Sequence, residues 1–191
     1  MLASKFIETE HYSRINVRQL TNLMMLEHLD KFEGGLIIET GSLRPECQID
    51  TDGGSTLVWD WVVNEKPNYR AITIDIRPEP GEHVKQNCKH VKPICSDSIT
   101  YLNSLTEEDV KDIRLLYLDS FDWSQEIHMQ SAFHHMCELA ALWRILPSGC
   151  MIVVDDRHTE ELGKHFLVDQ FFQRLNVEPA FKSYQIGWIK P

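Results

Sequence analysis

The chain contains no apolar run approaching the ~20 residues a helix needs to cross a bilayer, so no membrane span is expected. Its first ten residues lack the apolar stretch of a secretory signal and carry Glu8 and Glu10 beside Lys5, so no leader is expected there. Cysteine is sparse, and none of Cys47, Cys88, Cys95, Cys137 and Cys150 stands in a CxxC pair. An odd set without metal-type spacing reads as free thiols in a reducing compartment, the cytoplasm. Basic residues are few: 19 Lys and Arg against 29 Asp and Glu give a formal net charge of −10. On average such a surface repels a polyanion, although a local basic groove would escape the average. Nucleic acid is therefore a disfavoured partner, and a small-molecule substrate the favoured one. Internal repeats, low-complexity tracts and Pro/Gly/Ser-rich linkers are also missing. The 191 residues fit one domain with enough apolar side chains for a sizeable core.

What is present is alternation. Short runs dense in Ile, Leu and Val lie at 36–40, 71–76, 91–95, 113–119 and 150–155, as parallel strands buried on both faces should. Two closing runs, 180–182 and 185–190, have no helix between them and should pair as an antiparallel hairpin. Helical patterns separate the strands at 55–65, 81–89, 98–105, 124–146 and 164–175. The strongest carries Met129, Phe133, Met136, Ala140 and Trp143 at helical spacing, and Pro147-Ser148-Gly149 stops it. Residues 15–32 read as an extra N-terminal helix, a lid or a homodimer contact. The expected fold class is α/β: a three-layer Rossmann-like arrangement with a mainly parallel seven-stranded sheet. Residues 1–33 would form a helical extension and 34–191 the core.

In an open parallel sheet, ligands bind beyond the carboxyl ends of the strands. The residues there are Glu39-Thr40-Gly41-Ser42, Asp75, Ser96-Asp97-Ser98, Asp119 and Asp155-Asp156. A single acid after a strand is ordinary turn chemistry, but five strands ending this way is harder to assign to turns alone. A glycine at the first strand–helix turn lets backbone approach a ligand closely, and the next helix start offers free N–H groups. Ser55 and Thr56 suit a carboxylate there, and equally suit N-capping.

These motifs together resemble class I S-adenosylmethionine-dependent methyltransferases over residues 36–191. The run Ile37-Ile38-Glu39-Thr40-Gly41-Ser42, continued by Asp52-Gly53-Gly54-Ser55-Thr56, is similar to the first motif of that family. Ile72-Thr73-Ile74-Asp75-Ile76 resembles the second-strand motif, and Ser96-Asp97-Ser98 the adenine-contacting segment. Leu115-Leu116-Tyr117-Leu118-Asp119-Ser120 and Met151-Ile152-Val153-Val154-Asp155-Asp156 resemble the fourth and fifth strands. Gly163-Lys164 and Tyr184-Gln185-Ile186-Gly187-Trp188 look like features of the macrocin O-methyltransferase-like, Methyltransf_24-like group. The resemblance implies S-adenosyl-L-methionine as cofactor, held by Glu39, Gly41, Ser42, Gly54, Ser55, Asp75, Asp97 and Ser98. The first motif departs from the usual compact form, because eleven residues separate Gly41 from Gly53. Arg44, in that insertion, is a candidate for carboxylate or substrate recognition.

The resemblance also implies one magnesium ion on Asp119, Asp155 and Asp156, a hard oxygen set that suits it. Such an ion would hold an acceptor hydroxyl and lower its pKa. The competing reading is a turn at Asp155-Asp156 with Arg157 or Lys164 as salt-bridge partner. Asp122 and His158 are the proton-handling candidates, the latter because imidazole titrates near neutrality. Trp123 is a candidate for the acceptor pocket. His134, Cys137 and Glu138 could share a helix face but lack a second ligand pair, so zinc is disfavoured. His135 reads as a hydrogen-bonded core residue, and Glu138 as an anchor to a neighbouring loop. The implied activity is O-methylation of a small hydroxylated molecule, sugar or natural-product-like. Two rivals remain open: a nicotinamide-dependent oxidoreductase, despite the absence of a contiguous GxGxxG, and a non-catalytic protein that kept the fold.

Overall fold

The computed structural model describes residues 1–45 and 54–191. Seven strands form one sheet: β1 Gly35–Thr40, β2 Tyr69–Asp75, β3 Val91–Cys95, β4 Ile113–Leu118, β5 Met151–Val154, β6 Phe181–Lys182 and β7 Ile186–Ile189. Their order is β3-β2-β1-β4-β5-β7-β6. The pairs among β1 to β5 are parallel, whereas β7 runs antiparallel to both β5 and β6. The expected strands and the closing hairpin are all present. The order reverses between β1 and β4, so a crevice opens at their carboxyl ends.

Central strands are buried because helices cover both faces. Toward one side, Ile37, Leu115, Tyr117 and Val153 pack with α1 (Leu2–Phe6), α3 (Gln19–Leu29) and α4 (Gly54–Glu65). Toward the other, Leu36, Ile38, Leu116, Leu118 and Ile152 pack with α6 (Ser98–Ser104), α8 (His128–Trp143) and α9 (Phe166–Arg174). Alternate residues of one strand thus feed opposite layers, as the period of two requires. The helix α5 (Pro78–Asn87) flanks β2 and β3, opening on Pro78 where a missing N–H costs nothing. In the second layer Phe172 stacks on Trp188 with centroids 4.7 Å apart.

Three helices carry too few turns to show a period in sequence: α1, α2 (Glu10–Arg14) and α7 (Glu107–Val110). The last is set by a capping box in which Thr106 and Asp109 exchange hydrogen bonds. The expected helix over 15–32 is instead a 3-10 turn, Asn16–Arg18, followed by α3. Its start is displaced by Asn16, whose φ of 45° no helix continues through. Helix α8 begins at His128 rather than 124, because Ser124–Ile127 forms a turn closed by the Ile127 N–H on the Ser124 carbonyl, 3.2 Å. In the N-terminal segment, Leu2, Phe6, Met25, Leu26 and Leu29 belong to the same apolar cluster as β1 and β4. Among the described residues, no helix is long and apolar enough to cross a membrane.

Candidate functional site

β1 ends at Thr40 and the chain turns at Gly41 with φ +81°. A Cβ at this position would lie 2.5 Å from the Asp119 carbonyl oxygen, so only glycine lets the first turn sit against the end of β4. The Gly41 N–H donates to the Ile74 carbonyl at 2.8 Å, and its carbonyl accepts from Thr73 Oγ1 at 2.6 Å. The turn is thereby fixed to β2 as well. Beyond it lies a cavity of about 320 Å³ lined by Gly41, Ile74, Asp75, Ile76, Asp97, Ser98, Ser120, Phe121 and His134. Four residues expected at a cofactor, Gly41, Asp75, Asp97 and Ser98, thus meet in one space. Asp75 accepts the Arg77 N–H at 2.9 Å through Oδ1. Asp97 caps α6 through the Thr100 N–H at 2.8 Å, a bond that lowers its carboxyl pKa. Capping and cavity lining coexist at this residue.

The other expected cofactor residues have different settings. Glu39 is buried, accepting from Thr56 Oγ1 at 2.6 Å and Trp59 Nε1 at 3.0 Å. Burial pushes its carboxyl up to about 7, against hydrogen bonds from Ser55, Thr56, Thr73 and Trp59 that pull the other way. Glu39 and Thr56 therefore bind each other across the β1–α4 junction, and Thr56 is committed to structure. Gly54 and Ser55 open α4. Ser42 is buried, and its Oγ has no hydrogen-bond partner among the described residues. Cys47, Asp52 and Gly53, with most of the insertion in the first motif, lie outside the described residues.

Sequence reasoning missed the cavity's second wall. Ser98 Oγ contacts His134 Nε2 at 3.1 Å, and His134 Nε2 lies 3.3 Å from Glu138. Glu138 also accepts from Ser120 Oγ at 2.6 Å and Thr40 Oγ1 at 3.1 Å. Burial would raise this carboxyl, but the bonds from His134, Ser120 and Ser98 and the nearby His135 outweigh it and hold it below the usual value. Glu138 is thus the anchor that ties α8 to the ends of β1 and β4. Its neighbour His135 is fully buried and bonded to the Ser131 carbonyl at 2.7 Å. The signal for His134 was the helix face it shares with Cys137 and Glu138, weighed for zinc and disfavoured, with no reading as a cavity wall.

On the other side of Gly41 the strand-end acids converge around two cations. Lys164 Nζ bonds Asp119 and lies 3.0 Å from Asp156. Arg18, reaching over from the N-terminal segment, places Nε 2.9 Å from Asp155 Oδ2 and Nη2 3.4 Å from Asp156. Tyr117 OH donates to Asp155 at 3.0 Å, and Tyr184 OH to Asp156 at 2.7 Å. Desolvation works against charge here, yet Lys164 and Tyr184 hold the Asp156 carboxyl down at about 2. Burial and the two neighbouring carboxylates push Asp119 up instead, against the pull of Lys164. The sequence offered Arg157 or Lys164 as partners. Lys164 is one, whereas Arg157 bonds Glu160 and the Ser183 carbonyl.

A magnesium ion needs six oxygens at about 2.0–2.1 Å. Lys164 Nζ already bonds Asp119 and stands 3.0 Å from Asp156, so an ion bridging these two acids would have to compete with it. Among the described residues no three His, Cys, Asp or Glu side chains are disposed to hold a metal ion. As arranged, the three acids do not fit the metal. Asp122, a proton-handling candidate, is turned outward: its side chain is 72% exposed and accepts from Arg44 Nη2 at 2.6 Å. His158 is exposed and stacks on Trp123 with centroids 3.7 Å apart. The Trp123 Nε1 is buried with no hydrogen-bond partner.

No family profile and no curated protein matches the chain. Solved structures match its architecture, which is the class I S-adenosylmethionine-dependent methyltransferase fold. MycE methyltransferase from the mycinamycin biosynthetic pathway, in complex with Mg and SAH, is 14% identical with a TM-score of 0.64. That match covers 99% of this chain and 53% of MycE, so the chain spans about half of its length. CalS11, a TDP-rhamnose 3′-O-methyltransferase of calicheamicin biosynthesis, is 13% identical over 92% of this chain and 81% of its own, with a TM-score of 0.61. SMU.1697c from Streptococcus mutans, solved with SAH, is 13% identical over 90% and 97%, with a TM-score of 0.56.

Proposed function

We propose that the chain transfers the methyl group of S-adenosyl-L-methionine to a hydroxyl of a small molecule, sugar or natural-product-like, in the cytoplasm. One observation carries this: Gly41, Asp75, Asp97 and Ser98, from three different strand–helix junctions, line a single cavity at the switch in strand order. On this reading Asp75 accepts both ribose hydroxyls, and Asp97 and Ser98 meet the adenine amine. Ile74, Ile76 and Phe121 give the base an apolar seat. The methionine end would then run past Gly41 toward Ser42 and the start of α4, and the sulfonium toward the end of β4.

The acceptor side is the face bearing Trp123, His158 and Tyr184. An acceptor oxygen held in line with the sulfonium forms the new C–O bond as the S–C bond breaks, with inversion at carbon. The acceptor proton passes to a base, for which exposed His158, oriented by Trp123, is better placed than Asp122. A second reading keeps magnesium on Asp119, Asp155 and Asp156, favoured by the metal in the MycE complexes and opposed by Lys164.

The test is a thermal-shift titration with S-adenosylhomocysteine and, separately, with NAD. The homocysteine nucleoside should raise the melting temperature by mass action and NAD should not. Asp75→Ala removes two charge-assisted hydrogen bonds and should weaken that binding at least about tenfold. A shift with NAD alone would move the chain to the oxidoreductases. Binding without turnover on any hydroxylated acceptor would leave a non-catalytic protein.

A further inference from the structure

The acid cluster carries its own cations on a backbone shaped to deliver them. Asp156 has φ 51°, and Gly163, φ +144°, bridges back to Arg157. A Cβ on Gly163 would stand 2.5 Å from the Asp156 carbonyl oxygen, so the loop 157–163 closes tightly only with glycine there. The Lys164 N–H then donates to that same carbonyl at 3.3 Å, and its side chain folds back between Asp119 and Asp156. Its side chain is 3% exposed. From the opposite side, Arg18 lies over the Tyr184 ring at 4.6 Å while bonding Asp155 and Asp156. An ammonium so enclosed has no solvent to retreat into, and leaving would strip two carboxylates of their partner.

We infer that Lys164, seconded by Arg18, stands in the place of a divalent cation, so that the chain binds no metal at Asp119, Asp155 and Asp156. Lys164 ties the acids at the ends of β4 and β5 to one another, in the region where the acceptor is to lie. This rests on the methyltransferase reading only for the word acceptor; the metal statement stands on the charges alone.

The experiment is a calorimetric titration of the wild-type chain with MgCl₂, repeated with MnCl₂, alongside K164Q and K164R. Wild type and K164R should bind neither ion at millimolar concentration, and EDTA should leave the wild-type melting temperature unchanged. K164Q, with three acids and one fewer cation, should bind Mg²⁺ or Mn²⁺ and be stabilised by it. Sub-millimolar binding to wild type overturns the inference, as does a folded K164Q that binds neither ion. If K164Q does not fold, the wild-type titration decides. Failure of the methyltransferase reading would appear elsewhere, as the absence of a shift with S-adenosylhomocysteine.

Discussion

Two regions flank Gly41, and they are built on opposite principles. On the β2–β3 side is open space, with acids held by contacts to residues that closely follow them, Asp75 by Arg77 and Asp97 by Thr100. On the β4–β5 side the acids are packed against Lys164, Arg18, Tyr117 and Tyr184. The first keeps its hydrogen-bonding capacity for a ligand; the second has spent it internally. Acids at equivalent strand ends thus differ in function through what faces them and not through their own chemistry.

The most forceful way to break this contrast is to remove Lys164. Lys164→Gln leaves Asp119 and Asp156, both half-buried, without their shared cation, and should cost about 3 kcal/mol of stability, the low end for a buried pair. Urea denaturation at neutral pH reads it, and a loss below about 1 kcal/mol would mean that the cluster is solvated and open.

Glu39 sharpens the comparison, since it is an acid without any cation. Its folded pKa of about 7 lies above the ordinary 4.5, so the folded state holds the proton more tightly. Stability from this group is complete below the unfolded value and falls as pH rises toward 7, by about 3 kcal/mol. Glu39→Gln should flatten the melting temperature between pH 5 and 8 and raise it at the alkaline end. An unchanged slope would show that some other group sets it.

The smallest effect belongs to the rim. Asp122→Asn breaks an exposed pair with Arg44 and should change stability by less than about 1 kcal/mol, with turnover close to wild type. A hundredfold loss of turnover at intact stability would restore Asp122 as the base.

The sheet was legible because strands buried on both faces must be written in Ile, Leu and Val, and the five parallel strands appear where those runs lie. Half of the cavity was legible too, since strand ends in an open sheet point at one crevice. What could not be read is pairing across distance. Arg18 meets Asp155 over 137 residues, and nothing local to either announces it. The Ser98–His134–Glu138–Ser120 wall was hidden for the same reason, its members coming from α6, α8 and the end of β4. His134 and Glu138 were visible as a helix face, but the oxygens completing the network were not.

The lock between the first and last parts of the chain bears on how the molecule is made. Thr21 donates to Gln185, Gln185 to Tyr117, and Tyr117 to Asp155, while Arg18 lies on Tyr184. On a ribosome, residues 18–21 emerge long before 184 and 185, so Asp155 and Asp156 stay without their full set of partners until those later residues have emerged. The cavity beside Gly41, drawn from residues 41–134, has no such wait. A truncated chain ending before β7 should therefore be able to form the first crevice and never finish the second.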